Sequence, residues 1–120
     1  MTPEIAKRLL DARNAAVELE EFIEGHTAES FDDNRGLQLI VHKLLEIIGE
    51  ALNGARRSEP SVAQQIPNLQ RYISLRNQIT HGYDSVDYSI LWVVARSRIP
   101  DLIVILDELL NAAESPDQET

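Results

Sequence analysis

Apolar residues recur along this chain in alternating threes and fours, the spacing that lays a single stripe along an α-helix. Thr2 can cap a helix whose first position is Pro3, and from there the stripe runs through Ile5, Leu9, Ala12, Ala16, Leu19 and Ile23. Lys7, Arg8, Arg13, Glu18 and Glu21 fill the rest of the wheel, so this helix packs by one face, and Gly25 ends it.

Residues 24–31 read as a short connection, with Ser30-Phe31-Asp32-Asp33 as a capping arrangement for the next helix. Leu37, Ile40, Val41, Leu44, Leu45, Ile47, Ile48, Ala51 and Leu52 cover more than half of that helix's circumference. A helix so apolar is central or buried on two sides; the extra face fits a dimer seam and coverage by the chain's own neighbours equally well. Within it Glu46 and Glu50 stand four apart, read either as solvated charges or as carboxylates that orient a catalytic residue. Asn53-Gly54 predicts its end. Residues 55–68, with Arg56-Arg57, Pro60 and Pro67, read as a loop with one helical turn around Val62 to Ile66.

The next helix is expected over Leu69 to His81, with Leu69, Tyr72, Ile73, Leu75 and Ile79 on its buried side. After a turn at Asp84-Ser85, Asp87 caps a short apolar helix, with Val86 and Leu91 placed as a hydrophobic staple. Trp92 there is read as core, with a base-stacking platform as the weaker alternative. Ile99-Pro100-Asp101 restarts the chain as a last helix with Leu102, Ile103, Leu106, Leu109, Leu110 and Ala113 on one face. There is no β-alternation, repeat or dividing linker. The expectation is an all-α bundle of four or five helices, one domain over 1–114, and a polar tail over 115–120.

Composition changes this picture in two ways. No cysteine occurs, which removes disulfides and thiolate metal sites, and the three histidines, His26, His42 and His81, show no metal-ligand spacing. No cofactor or metal is expected. A formal net charge of −9 disfavours generic nucleic-acid binding, because affinity for phosphate chains comes mostly from many Lys and Arg. A positive cleft would have to be local, drawn from Arg71, Arg76, Arg56, Arg57, Arg96 and Arg98, and the acidic remainder suits a basic protein partner. The absence of a signal-like start or a membrane-length apolar run leads to a cytoplasmic expectation with no membrane contact.

The chemistry concentrates in Leu75-Arg76-Asn77-Gln78-Ile79-Thr80-His81-Gly82-Tyr83. Asn77 and His81 share one helical stripe, with Arg76, Thr80 and Tyr83 on the adjacent one. Gly82 suits a C-terminal cap, which would place the His81 imidazole at the negative end of the helix and favour its protonated form. An imidazole can take a proton from a ribose 2'-OH or give one to a leaving oxygen, and a guanidinium forks onto phosphate oxygens. One His cannot be acid and base at once, so a second copy of the site or water must share the work. From residue types alone, a polar cap with Arg tied to a carboxylate is the competing reading.

Arg76-x4-His81-x-Tyr83, with Asn77 after the Arg, resembles the signature of the HepT-like toxins of the HEPN superfamily. Leu45-Glu46-Ile47-Ile48-Gly49-Glu50-Ala51 matches a second-helix motif of that family, and Val86-Asp87 with Ile90, Leu91 and Trp92 resembles the family's segment downstream of its His-x-Tyr. The likeness runs from about Glu4 to Ala113. Lys43 and Asn68 depart from the pattern, where relatives often carry Arg and Trp; Lys43 keeps the charge but not the bidentate fork.

The resemblance implies a metal-independent endoribonuclease toxin, a HEPN-type bundle, a homodimer pairing two copies of Arg76 and His81, and products ending in 2',3'-cyclic phosphate and 5'-OH. It implies supporting roles for Asn77 and Tyr83, and a minimal nucleotidyltransferase antitoxin that adenylylates Tyr83. Two other readings stand beside it: a non-catalytic subunit or adenylylation substrate of that nucleotidyltransferase, and a plain helical dimer whose motif is only a polar cap.

Overall fold

A computed structural model describes residues 1–81 and 86–114, with the backbone alone for His81 and Glu114. Among these residues every regular element is helical: α1 Pro3–Ile23, α2 Ala28–Asp32, α3 Arg35–Ser58, α4 Pro60–Ala63, α5 Leu69–His81, α6 Tyr88–Val93 and α7 Ile99–Glu114, with a π-helical turn, Val94–Arg98, joining α6 to α7. The long columns are α1, α3, α5 and the run from α6 to α7, so the protein is an all-α bundle.

The α1 stripe forms as the spacing predicts: Thr2 accepts from the Ile5 N–H at 3.2 Å, and all six seam residues are buried together with Ala15. α3 lies at the centre, flanked by α1 and α5, while α7 covers the other side of α1. Its apolar excess is mostly covered by these neighbours, but Leu39 and Ile47 remain exposed at 49% and 38%. Phe31, fully buried on α2, holds α6 to the bundle: its ring lies 5.1 Å from that of Trp92 and 6.5 Å from that of Tyr88. Burying a ring of this size is worth about 2–3 kcal/mol. Trp92 is therefore a packing residue, half-buried, with the Arg96 guanidinium 5.7 Å above it.

Three sequence expectations shift. The cap of α3 is Asn34, whose Oδ1 accepts from Leu37 N–H at 2.9 Å, while Thr27 and Ser30 form a capping box on α2. α3 also continues through Asn53-Gly54 to Ser58. Gly54 is a crossing point: a side chain there would overlap the Arg8 guanidinium, with a Cβ 2.8 Å from its Cζ. Glycine inside a helix costs only about 1 kcal/mol, and Pro60, which forces Glu59 out of the helical region, is the actual stop. The single turn after it is accordingly Pro60–Ala63, earlier than Val62 to Ile66.

The last helix does begin at Ile99, with Pro100 in its first turn, but it follows without a break on the π turn, which the Ile99 N–H closes on the Val94 carbonyl. Tyr72 of α5 donates its hydroxyl to the Arg98 carbonyl of that turn at 3.3 Å. Burial pushes the Tyr72 hydroxyl's pKa up, with Arg98 opposing and Asp101 reinforcing the shift. Gly82, Tyr83 and the Asp84-Ser85 turn lie outside the described residues.

Candidate active site

α5 spans Leu69–His81, as the periodicity predicts, and it presents Arg76 to the neighbouring α3. The contact depends on Gly49. A Cβ at that position would overlap the Arg76 Cβ and stand 2.9 Å from its Cγ and 3.1 Å from the Tyr72 carbonyl oxygen. The missing side chain lets the arginine stem lie flat on α3 and carries the guanidinium to the next residue along. There Glu50 Oε2 accepts from Arg76 Nη2 at 2.6 Å, while Arg76 Nη1 donates to Asn77 Oδ1 at 3.1 Å. Glu50 also meets Arg57 Nη2 at 3.8 Å.

The Arg76 side chain is 24% exposed, and its Nε is buried without a hydrogen-bond partner among the described residues. One turn further along the same stripe Thr80 Oγ1 is likewise buried and has no partner among them. Buried polar atoms left unpaired cost about 1–3 kcal/mol each, and two on one stripe mark where the fold holds hydrogen-bonding capacity that it does not itself spend.

Arg76 opens into a cleft of about 580 Å³ between α1, α3 and α5. Arg8 and Lys43 join it there, facing Asp11, Glu18, Glu46 and Glu50. The expected positive cleft is therefore not assembled within one chain. Arg71 and Arg98 line a different groove, Arg56 is tied to Gln70 and Asn53, Arg57 approaches Glu50, and Arg96 covers Trp92. Residues that alternate round helices share a segment of sequence without sharing a surface. Of the Glu46/Glu50 pair, Glu50 orients Arg76, and Glu46 pairs with Lys43 at 3.4 Å.

His42, which the sequence did not single out for the site, belongs beside it. Its Nε2 lies 3.2 Å from the Ile79 carbonyl, so the ring donates to the last turn of α5 from the adjacent α3. No local spacing announces that contact, because the partners are far apart in sequence. His26 pairs with Ser30 instead, and among the described residues no group of His, Asp or Glu is gathered for a metal ion. The backbone of His81 closes α5, five positions after Arg76; Tyr83 lies outside the described residues.

The ribonuclease HepT-like family matches residues 12–109, a span that includes α5 and most of the arginine cleft. The chain belongs to this family. A Thermococcus cleftensis protein named probable ribonuclease HepT is 31% identical over 94 residues, 78% of this chain and 84% of that one. A Methanocaldococcus jannaschii protein provisionally named as an RNase is 29% identical over 96 residues, 78% and 85% of the two chains. One from Caldanaerobacter subterraneus, named in the same way, is 28% identical over 91 residues, 76% and 80%. No solved structure matches. Membership gives the α3–α5 contact a context: the glycine and glutamate that seat Arg76 fall inside the matched span, as does the whole Arg76-to-Tyr83 segment. No helix among the described residues is long and apolar enough to cross a membrane.

Proposed function

We propose that this HepT-like protein is an endoribonuclease that cuts RNA by attack of the ribose 2'-OH, needs no metal ion, and serves as the toxin of a toxin–antitoxin pair. The observation that carries the reading is the seating of Arg76, with its stem on Gly49, its fork held by Glu50 and Asn77, and unspent donor capacity beside it. A guanidinium fixed before substrate arrives stabilises charge on phosphate oxygens without reorganising at the moment of reaction.

His81 takes the 2'-OH proton as O2' attacks phosphorus; the bond to the 5' oxygen breaks, and a second acid protonates that oxygen. The products are a 2',3'-cyclic phosphate and a 5'-OH. A homodimer supplies the second acid as His81 of another copy, and it doubles the arginines facing the RNA, which meets the objection posed by the carboxylates of the cleft. Asn77 and Tyr83 support the phosphate. The partner is a minimal nucleotidyltransferase antitoxin: Tyr83 Oη attacks the α-phosphorus of ATP, pyrophosphate leaves, and the added AMP fills the cleft with negative charge.

A second reading, a non-catalytic subunit or adenylylation substrate of that nucleotidyltransferase, is favoured by the neutralisation of Arg76 by Glu50 and by the net charge of −9. One experiment separates the two. Unmodified protein, checked by intact mass, is incubated with RNA in excess EDTA beside His81→Ala, and the product ends are analysed. Cyclic phosphate ends from the wild type, lost in the variant, establish the nuclease. No cleavage by either favours the binding subunit, and equal cleavage by both sinks the assignment to His81. A rise by one or more AMP units after co-expression with the nucleotidyltransferase, absent in Tyr83→Phe, tests the modification.

A further inference from the structure

α5 touches α3 with one side and leaves the other facing the α6–α7 run across a gap. That gap is a groove of about 360 Å³ whose apolar surface comes from Tyr72, Leu75, Ile90, Val93 and Val94. Ile90 and Val93 are 52% and 57% exposed, among the largest exposures of any sizeable aliphatic residue in the described chain. Arg71 and Arg98 line the same groove, both exposed, and neither makes a salt bridge among the described residues. Among the described residues no carboxylate lines it. On a body of net charge −9, an aliphatic trough flanked by two guanidinium groups, with no carboxylate in salt-bridge contact among the described residues, is a local exception in both polarity and sign.

The chemistry of the groove narrows the occupant. Its walls are aliphatic, and its one aromatic ring, Tyr72, is 8% exposed with its hydroxyl bonded to the Arg98 carbonyl, so no ring face is offered to a nucleobase. A second copy joined about a two-fold axis through the groove would set Arg71 and Arg98 against the same two cations. A helix with apolar residues on one stripe and carboxylates beside it satisfies both features, because two helices forming a trough accept a third by its i, i+3, i+4 and i+7 anchors. We propose that this groove docks an acidic amphipathic helix of a protein partner. Docking there is independent of whether the chain cleaves RNA.

The probe is a labelled peptide of about 16 residues, with Leu on the one-face helical stripe and Glu at the other positions, beside a twin carrying Lys for Glu. Binding is read by anisotropy on the full chain and by methyl NMR of Leu75, Ile90, Val93 and Val94. The Glu peptide should bind with Kd on the order of 10 µM, shift those methyls, and weaken about tenfold with Val93→Asp, an exposed position where folding is not at stake. Arg71→Glu combined with Arg98→Glu should reverse the preference, so that the Lys peptide binds and the Glu peptide does not. Four results overturn the proposal: no binding, equal binding of both peptides by the wild type, displacement of the methyl signals by a single-stranded RNA oligonucleotide, or a fall in oligomer mass on Val93→Asp, which would make the groove a seam between copies.

Discussion

Arg76 lies flat on Gly49, so that a methyl group at the glycine would occupy the space of the arginine's own Cβ and stand 3.1 Å from the Tyr72 carbonyl oxygen. Neither obstacle is the free end of a side chain, and only a shift of α5 away from α3 makes room. Gly49→Ala is expected to cost about 1–3 kcal/mol as overpacking, despite alanine's better helix propensity. Gly36→Ala is the control, since the nearest atom to a Cβ there is Asn34 Oδ1 at 3.5 Å, an ordinary contact. It should be neutral or stabilising by up to about 1 kcal/mol. Urea unfolding of the two variants measures the difference, and a Gly49→Ala protein as stable as the wild type would show that the close approach is not needed.

The Glu50–Arg76 pair is expected to matter more for activity than for stability. Arg76 is 24% exposed and Glu50 48%, so solvent screens the pair and its contribution to folding should stay below about 1 kcal/mol. What Glu50 fixes is where the guanidinium points. If the chain is a nuclease, Glu50→Ala should lower kcat about tenfold with little change in melting temperature, because a misdirected fork loses contacts made in the transition state. Unfolding and cleavage measured on one preparation separate the effects, and a variant that unfolds early while cleaving normally contradicts this account.

His42 ties α3 to the last turn of the motif helix through the Ile79 carbonyl. His42→Phe keeps an aromatic side chain but removes the donor, leaving that carbonyl without this partner. The expected cost is about 0.5–1.5 kcal/mol. Amide exchange should speed up in the final turn of α5 and stay unchanged in α1. Uniform acceleration would mean that the bond supports the whole bundle rather than the helix end that carries His81.

Asp87 caps α6: its Oδ1 accepts from both the Ser89 hydroxyl and the Ser89 N–H. The hydroxyl bond first, and then the backbone bond, holds its carboxyl below the ordinary aspartate range. A carboxylate whose folded pKa is lowered contributes stability above its unfolded pKa and loses it as pH falls through the folded one. The advantage of the wild type over Asp87→Ala is therefore present at neutral pH and shrinks as the pH drops below about 4. Asp87→Asn, which caps without a charge, should show no such decline. Melting temperatures of the three proteins across that range make the comparison.

Local and periodic features were legible in the chain itself. The α1 seam, the Thr2 and Asp87 caps, the bounds of α5 and the apolar richness of α3 follow from rules acting within a few residues, so sequence determined the helices, the all-α class and the place of Arg76 and Asn77 on α5. Features that depend on which faces meet were not legible. Gly54 reads as a stop until Arg8 is seen crossing it; Ile99-Pro100 reads as a fresh start, and only the structure shows a π turn running into it without a break; Glu50 reads as a surface charge or an orienting carboxylate until α5 is laid against α3. The basic residues near the motif suggested one cleft, but helical rotation sent Arg76 to one side of α5 and Arg71 to the other. Tertiary structure alone decided which charge answers which, because a partner 26 residues away in sequence, as Glu50 is from Arg76, becomes a neighbour only when the bundle closes.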